Sequence, residues 1–403
     1  VVYQSFPLVS IITPSYNQGK YIRETIESVL SQDYPNIEFI VVDGGSTDDT
    51  LSILKEYSHI EERFRFISEK DRGQSHAINK GLAMTKGEII GWLNSDDTYL
   101  PGAIRKAVEA LQRQPDLAIV YGKAYTIDEN SQKISDYYVA PANFNQLFDG
   151  CMICQPAVFI RRNVFLEVEG VDESLHFCMD YDLWIRIAKK YPIGFVPYAF
   201  ANARTHNTCK TSTLWNTVGI PEILRTSVKH YGTISKTWLL AYQSHHGYKG
   251  ITGLLHYLRD QSTLDCLPTV TNMNRYEDLW VPPRFTFTVE TDLRCPVNSI
   301  LIKGKIPPES APFLPLHYKF RFVVQVDGQP AGSHIVGSTF LLNIPVQPIM
   351  KEKFEMEILS SFFLTDSDKR MISFVADEVI PLSLEESNVF KSISSSSVFL
   401  KIG

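Results

Sequence analysis

Short apolar runs rich in β-branched residues alternate with stretches of helical spacing through the first half of the chain. Leu8-Val9-Ser10-Ile11-Ile12 reads as a strand and leads into the turn-rich Thr13-Pro14-Ser15-Tyr16-Asn17. Ile22, Ile26, Val29 and Leu30 then recur at helical spacing up to Asp33-Tyr34-Pro35, where proline stops the helix. Ile37 to Val42 is a second strand, apolar except for Glu38. Asp43-Gly44-Gly45-Ser46-Thr47-Asp48 then turns the chain into a helix bearing Leu51, Leu54 and Tyr57. Phe64 to Ile67 gives a third strand, Gln74 to Met84 a helix and Ile89 to Leu93 a fourth strand. Strands with little polar alternation, separated by helices, predict a largely parallel sheet covered on both faces. In such sheets ligands bind beyond the carboxyl ends of the strands, and the polar clusters 13–17, 43–48, 70–74 and 94–97 all fall there. Loops after four successive strands can therefore converge on one crevice.

Beyond residue 205 the pattern changes. Residues 206–275 are rich in Leu, Tyr and His, with helical stretches such as Ser235 to Tyr242, and predict a helical segment or linker. Residues 276–403 alternate with a period of two, as in Phe285-Thr286-Phe287-Thr288-Val289 and Phe320-Arg321-Phe322-Val323-Val324, with turns such as Asp327-Gly328 between. Strands at short spacing with little helix between them predict an antiparallel β-sandwich. Tyr318 and most of its Phe residues are expected in the core of that sandwich.

Composition narrows the picture. The chain has 403 residues, 44% hydrophobic and 12% aromatic, enough for buried cores in two or three domains and too apolar for global disorder. With 39 Lys+Arg against 45 Asp+Glu the net charge is −6, and no basic run is present, so no nucleic acid partner is expected. No stretch reaches the roughly 18 to 20 apolar residues of a membrane span. Val1-Val2-Tyr3-Gln4-Ser5 lacks the features of a secretory signal. A cytoplasmic protein is expected, with peripheral contact at the inner membrane face left open. Six cysteines are too few for a disulfide framework; Cys151-Met-Ile-Cys154 reads as small buried residues of a reduced chain.

Three clusters carry candidate chemistry. In Asp43-Gly-Gly-Ser-Thr-Asp48 the glycines let backbone approach a ligand, and Asp43 can accept a hydrogen bond from a base imide or a ribose hydroxyl. The bland alternative is a strand-to-helix turn capped by Ser46 or Thr47. In Asn94-Ser95-Asp96-Asp97 the short carboxylates suit Mg²⁺ or Mn²⁺ completed by substrate phosphates; Asp96 is assigned to the metal and Asp97 to capping the helix that Pro101 opens. In Met179-Asp180-Tyr181-Asp182-Leu183-Trp184-Ile185-Arg186, Asp182 and Arg186 form a structural i, i+4 pair. Asp180 lies at the helix start, where the macrodipole would keep a general base ionised, or where it would simply serve as the N-cap.

Together with Val9-Ser-Ile-Ile-Thr-Pro-Ser-Tyr-Asn17 and Gly73-Gln-Ser-His-Ala-Ile-Asn-Lys-Gly81, these motifs make residues 1–205 resemble glycosyltransferase family 2. Its members are inverting enzymes with the GT-A fold, a Rossmann-like nucleotide-sugar-binding domain. The resemblance implies that Thr13, Pro14 and Tyr16 line the nucleotide base and that Asp43 meets its imide N–H. It further implies that Asp96 is the ligand of the D-x-D metal site and Asp180 the base that deprotonates the acceptor hydroxyl. Gly73, Lys80, Asn94 and Ser95 join the donor-binding set, and His206 is a second metal or diphosphate ligand. Arg72 is a further phosphate contact, and Gln155 and Pro156 face the acceptor. Two departures stand out: Asn94 replaces the first D-x-D carboxylate, and Met179 replaces the Glu that often precedes the catalytic Asp.

The implied activity is that of a hexosyltransferase-type enzyme, inverting and non-processive, since the Q-x-x-R-W signature of processive synthases is missing. It would carry a sugar from a nucleotide-diphosphate donor, UDP-sugar favoured, to a glycan, lipid-linked or protein acceptor in polysaccharide biosynthesis. The C-terminal region is a candidate for acceptor binding or oligomerisation. The competing expectations are a catalytically impaired nucleotide-sugar or glycan-binding scaffold, and a glycoside hydrolase using Asp96 and Asp180.

Overall fold

The apolar runs of the first half become the centre of one mixed sheet. The computed structural model describes residues 6–246, 250–260, 267–308, 310, 318–349 and 351–394; Val1 to Ser5 and most of the Ser394 to Ser397 run lie outside the described residues. The elements follow in the order β1 (Val9–Ser15), α1 (Ile22–Leu30), β2 (Ile37–Asp43), α2 (Thr50–Ile60), β3 (Phe64–Ser68), α3 (Gln74–Met84) and β4 (Ile89–Trp92). Next come β5 (Thr98–Tyr99), α4 (Ala103–Arg113), β6 (Ile119–Ile127), β7 (Lys133–Asp136), α5 (Phe144–Leu147), β8 (Val158–Arg161), α6 (Arg162–Glu167), α7 (Met179–Lys190) and β9 (Ile193–Arg204).

The strand order is β3-β2-β1-β4-β8-β6-β9-β5, with β7 beside β6. Strands β1 to β4 are mutually parallel, as expected, whereas β8 runs antiparallel to both β4 and β6. The sheet beyond β4 is therefore mixed. Side chains alternate across it: Phe39 and Val41 join the core under α1, α2 and α4, while Ile40 and Val42 pack with Ala77 of α3. Both faces are covered, which is why β2 reads as an unbroken apolar run. Glu38, the one polar residue within that run, ties the sheet to the turn after α3 by accepting from Ser10 Oγ and from the backbone N–H groups of Lys86 and Gly87. On the α3 face a Cβ on Gly81 would lie 2.4 Å from Ile12 Cγ2, so only glycine lets the helix approach this closely.

The chain divides into two compact units, Val1–Tyr248 and Lys249–Gly403. The helical stretch expected over 206–275 is thus not one piece. The helices α8 (Lys210–Leu214), α9 (Ile220–Tyr231) and α10 (Lys236–His246), with the π-helix Trp215–Gly219 between α8 and α9, belong to the first unit. Their apolar residues Ile223, Leu224, Trp238, Leu239 and Tyr242 are buried in it. Helix α11 (Gly250–Asp260) belongs to the second.

Among the described residues the second unit holds two large antiparallel sheets and a two-stranded pair, Leu364–Thr365 with Met371–Ile372. One has five strands, in the order Thr269–Thr271, Arg284–Glu290, Lys353–Ser360, Lys319–Val326, Gln329–Gly337. The other has four: Trp280–Val281, Phe374–Ser383, Val297–Lys305 and Thr339–Ile349. Inward-facing Phe285, Phe287, Phe320, Phe322, Phe340 and Phe374 form one core between them, the expected β-sandwich. Tyr318 packs on Phe320 and Phe362 at its edge. Asp327 and Gly328, both at positive φ, make the tight hairpin between two adjacent strands.

Cys295 is disulfide-bonded, while Cys151, Cys154, Cys178 and Cys209 are free thiols. A wholly reduced chain is therefore not what the structure contains. Among the described residues no helix is long and apolar enough to cross a membrane.

Candidate active site

Because β1 to β4 are parallel, the loops that follow them share one rim. The first two are stitched together by side chains. Asn17, at φ 52°, donates its backbone N–H to Ser46 Oγ (2.7 Å) and accepts from Thr47 N–H (2.8 Å), and Asp48 Oδ2 accepts from Gly19 N–H (2.9 Å). Asp43, fully buried at the end of β2, is gripped in turn. Its Oδ2 accepts from the N–H groups of Gly45 and Ser46 and from Ser68 Oγ, and its Oδ1 from Ser46 Oγ. Neither Ser46 nor Thr47 caps α2; Asp49 is its N-cap, and Asp48 Oδ1 accepts from Thr50 N–H. Asp43 thus braces three loops at the rim.

The other members of the expected base pocket separate by exposure. Thr13 and Pro14 are buried within β1, whereas the Tyr16 ring is 60% exposed and free to stack. Thr13 Oγ1 and Ser15 Oγ are buried and lack a hydrogen-bond partner among the described residues. Buried hydroxyls normally find partners, so an unmatched pair at the head of β1 marks a place for a polar ligand or water.

At the centre of the rim Asn94 makes four hydrogen bonds. Its Oδ1 accepts from Trp92 Nε1 (3.0 Å) and Gln74 Nε2 (2.8 Å), and its Nδ2 donates to Asp97 Oδ2 (3.1 Å) and Gln155 Oε1 (2.8 Å). A carboxylate could not donate the last two. Asn94 is therefore a hub of the framework. Ser95 is buried beside it. Asp97 does not cap the following helix, whose N-cap is Gly102 at φ 79°. Instead Asp97 Oδ1 accepts from Arg204 N–H (2.9 Å). Burial and the neighbouring Asp96 carboxylate push the Asp97 carboxyl well above the ordinary range.

Asp96 and His206 come together. Asp96 Oδ2 lies 3.1 Å from His206 Nε2, although 110 positions separate them. The imidazole also packs against the Tyr21 ring, with centroids 4.9 Å apart and the rings tilted by 37°. Arg204, with its side chain only 1% exposed, locks this corner: it donates to the carbonyls of Asp96 and Asp128, to Ser131 Oγ and to Glu24. A cleft of about 290 Å³ opens beside His206, bounded by Asn17, Gln18, Lys20, Tyr21 and Glu129. Among the described residues no three His, Cys, Asp or Glu side chains gather as a metal cage.

Asp180 sits in the first turn of α7, whose N-cap is Cys178. Its Oδ1 accepts from Tyr181 N–H, and burial raises its pKa to about 6, against the opposing pull of backbone N–H groups and of Lys210. Desolvation outweighs the helix dipole that was expected to keep it low. Two positions on, Asp182 is the structural residue predicted, paired with Arg186 Nε at 2.6 Å and also with His230 Nε2 at 2.7 Å.

Gly73, at φ +111°, opens α3 with free space where a Cβ would stand. Lys80 is paired with Glu69 and Arg72 with Glu173, so neither cation is at hand as it stands. Gln155 anchors the rim through Asn94 and the Trp92 carbonyl, and Pro156 is buried. Sequence reasoning passed over Tyr21, Arg204 and Lys210. Lys210 Nζ bridges Gln74 Oε1 (2.7 Å) and the His176 carbonyl (2.8 Å). The one available signal was the crowding of Arg204, His206 and Lys210 within seven residues.

The family model described as glycosyl transferase family 2 matches residues 10–168. Over 190 residues the chain is 36% identical to chondroitin synthase of Escherichia coli, a match covering 47% of this chain and 28% of that protein. It is 32% identical over 225 residues to an uncharacterized glycosyltransferase of Rickettsia typhi, covering 52% of this chain and 68% of that one. Among solved structures, Staphylococcus aureus TarS 1–349 in complex with UDP-GlcNAc aligns at 18% identity and a TM-score of 0.47, over 59% of this chain and 72% of that one. The match thus spans little more than a quarter of the chondroitin synthase.

Proposed function

The chain belongs to glycosyltransferase family 2, and on that premise we propose that it is an inverting, non-processive transferase that moves a sugar from a nucleotide-diphosphate donor to an acceptor hydroxyl. Asp180 carries this reading: a carboxylate in a helix's first turn, with no side-chain hydrogen-bond donor among the described residues, whose burial lifts its pKa to about 6. Such a group is mostly ionised at neutral pH yet basic enough to take a proton in the transition state. Asp180 accepts the acceptor's hydroxyl proton while that oxygen attacks the anomeric carbon from the face opposite the diphosphate. One base suffices, because attack and departure take place on opposite faces.

The pair Asp96 and His206 fits a divalent cation such as Mn²⁺ or Mg²⁺ that draws its remaining ligands from the donor's diphosphate, since two donors in contact are too few for a protein-only cage. When bound, that ion supplies charge neutralisation to the leaving diphosphate. The exposed Tyr16 ring is the stacking surface for the base, and the unmatched hydroxyls of Thr13 and Ser15 are polar contacts beneath it. A UDP-sugar is the favoured donor, and a growing polysaccharide is the acceptor class that the likeness to chondroitin synthase favours.

Thermal-shift measurements with UDP and GDP, each with and without Mn²⁺, test donor binding by mass action. Nucleoside diphosphate release from UDP-glucose, UDP-N-acetylglucosamine and GDP-mannose tests turnover. Stabilisation by one nucleotide with donor turnover is expected; no turnover with any donor, despite binding, would favour a scaffold that has lost activity.

A further inference from the structure

Helix α7 begins without a side-chain cap of its own: its N-cap, Cys178, offers none to the orphan N–H groups. The residues that lead into it are held instead by an acceptor from α9, more than forty positions later. Glu222, 2% exposed, takes three successive backbone N–H groups: His176 at 2.7 Å on Oε1, and Phe177 at 2.8 Å and Cys178 at 3.0 Å on Oε2. The same segment grips these residues in three further ways. Thr226 Oγ1 lies 3.3 Å from Cys178 Sγ, Gly219 packs against the Phe177 ring, and Lys210 Nζ donates to the His176 carbonyl at 2.8 Å. Lys210 also donates to Gln74, which bonds Asn94 on the loop that carries Asp96.

We propose that Glu222 is the positioning residue for the general base: from a separate helix its carboxylate holds residues 176–178, the run that leads into α7, and so fixes where Asp180 stands relative to the Asp96 loop. This rests on Asp180 being the base. A charge-assisted acceptor shared by three N–H groups is stiff in direction as well as strong, and it holds the three residues, 176–178, immediately before the turn that bears Asp180. A neutral amide would turn an NH₂ toward at least one of the three donors and release the turn. A base displaced by about an ångström loses rate while the donor, bound on the other side of the crevice, is held as before.

The experiment uses the full chain and follows nucleoside diphosphate release with whichever of UDP-glucose, UDP-N-acetylglucosamine and GDP-mannose the wild type turns over. Glu222→Gln is expected to lower kcat by about 10- to 100-fold with the donor KM little changed, and Glu222→Asp, which keeps the charge, to recover part of that loss. Ser227→Ala is the control for destabilisation alone: it removes a buried hydrogen bond to the Thr233 carbonyl on the same helix without touching residues 176–178, and kcat should stay at the wild-type level. Should Glu222→Gln fail to fold, Glu222→Asp assayed below its melting temperature carries the test. Wild-type kcat in the folded Glu222 variant, or an equal loss of kcat in Ser227→Ala, overturns the proposal. Asp180→Asn separates the two ideas: if it turns over normally the base assignment falls and takes Glu222 with it, whereas a dead Asp180→Asn beside a fully active Glu222→Gln removes Glu222 alone.

Discussion

Asp180 and Asp182 stand two positions apart on one helix, and their environments move them in opposite directions. Burial raises both; for Asp180 little opposes it and the pKa reaches about 6, while for Asp182 the His230 hydrogen bond and the Arg186 guanidinium override burial and hold it at about 2. Donor turnover should therefore rise with pH through about 6 as Asp180 loses its proton, and Asp180→Asn should abolish it. The raised value also has a stability sign. Between the unfolded value near 3.9 and the folded value of about 6 the native state binds the extra proton, so stability falls as pH rises through that window and stays lower above it. Asp180→Asn should then melt higher than wild type at pH 7.5, by up to about 2–3 kcal/mol. An unchanged or lower melting point would show that the burial of Asp180 carries no such cost. Asp182 behaves oppositely: its contribution is present above about 4 and is lost as pH falls toward 2. Asp182→Asn should destabilise the fold by about 3–5 kcal/mol, read by denaturant titration, because Arg186 is left without its counter-charge. The Asp182 pair was legible from its i, i+4 spacing alone. The ionisation of Asp180 was not, because the sequence displays the helix start but not the walls that desolvate it.

At the scale of elements, what was legible is what local pattern encodes. Helix α3 was read over the residues it occupies, Gln74–Met84, and β1 to β4 fell where apolar runs met turn residues. The reversal of β8 was not legible, since an apolar run looks alike in either direction and only its pairing with β4 and β6 decides. Asn94 carried a misleading signal: it was weighed as a missing carboxylate, whereas its amide donates two bonds that no aspartate could. Glu222 was invisible for the same reason, since an acid in the first turn of an amphipathic helix ordinarily faces water. Gly81 gives a sharp test of element packing. Inside a helix Gly→Ala normally stabilises by up to about 1 kcal/mol. Here the added methyl meets Ile12, a stiff β-branched side chain in a filled core, at 2.4 Å. Overpacking of this kind costs about 1–3 kcal/mol, so Gly81→Ala should melt lower than wild type by urea or heat. A higher melting point would mean that α3 can move off the sheet.

For the molecule as a whole, the compact unit Val1–Tyr248 reaches beyond the change of sequence pattern near 205 to take in the helices that follow it. Pattern marks where alternation ends, but α8 to α10 complete the first unit through contacts that reach far back along the chain. Glu222 holds the turn before α7, Lys229 Nζ and His230 Nε2 lie 3.4 and 2.7 Å from Asp182 Oδ1, Trp238 Nε1 donates to Tyr181 Oη at 3.2 Å, and Tyr231 packs on Phe144 and Phe148. Removing them strands a buried carboxylate and exposes a face that Ile223, Leu224, Trp238, Leu239 and Tyr242 cover. Each such side chain contributes about 1.5–3 kcal/mol on burial, so their joint loss is comparable with the roughly 5–15 kcal/mol that holds a domain folded. A chain ending at residue 248 should therefore melt cooperatively and be stabilised by the same nucleotide as the full protein, whereas one ending at 205 should show no cooperative transition by circular dichroism. A cooperative melt from the shorter piece would mean that the sheet and its loops hold Asp180 unaided, and that the helices serve some other end.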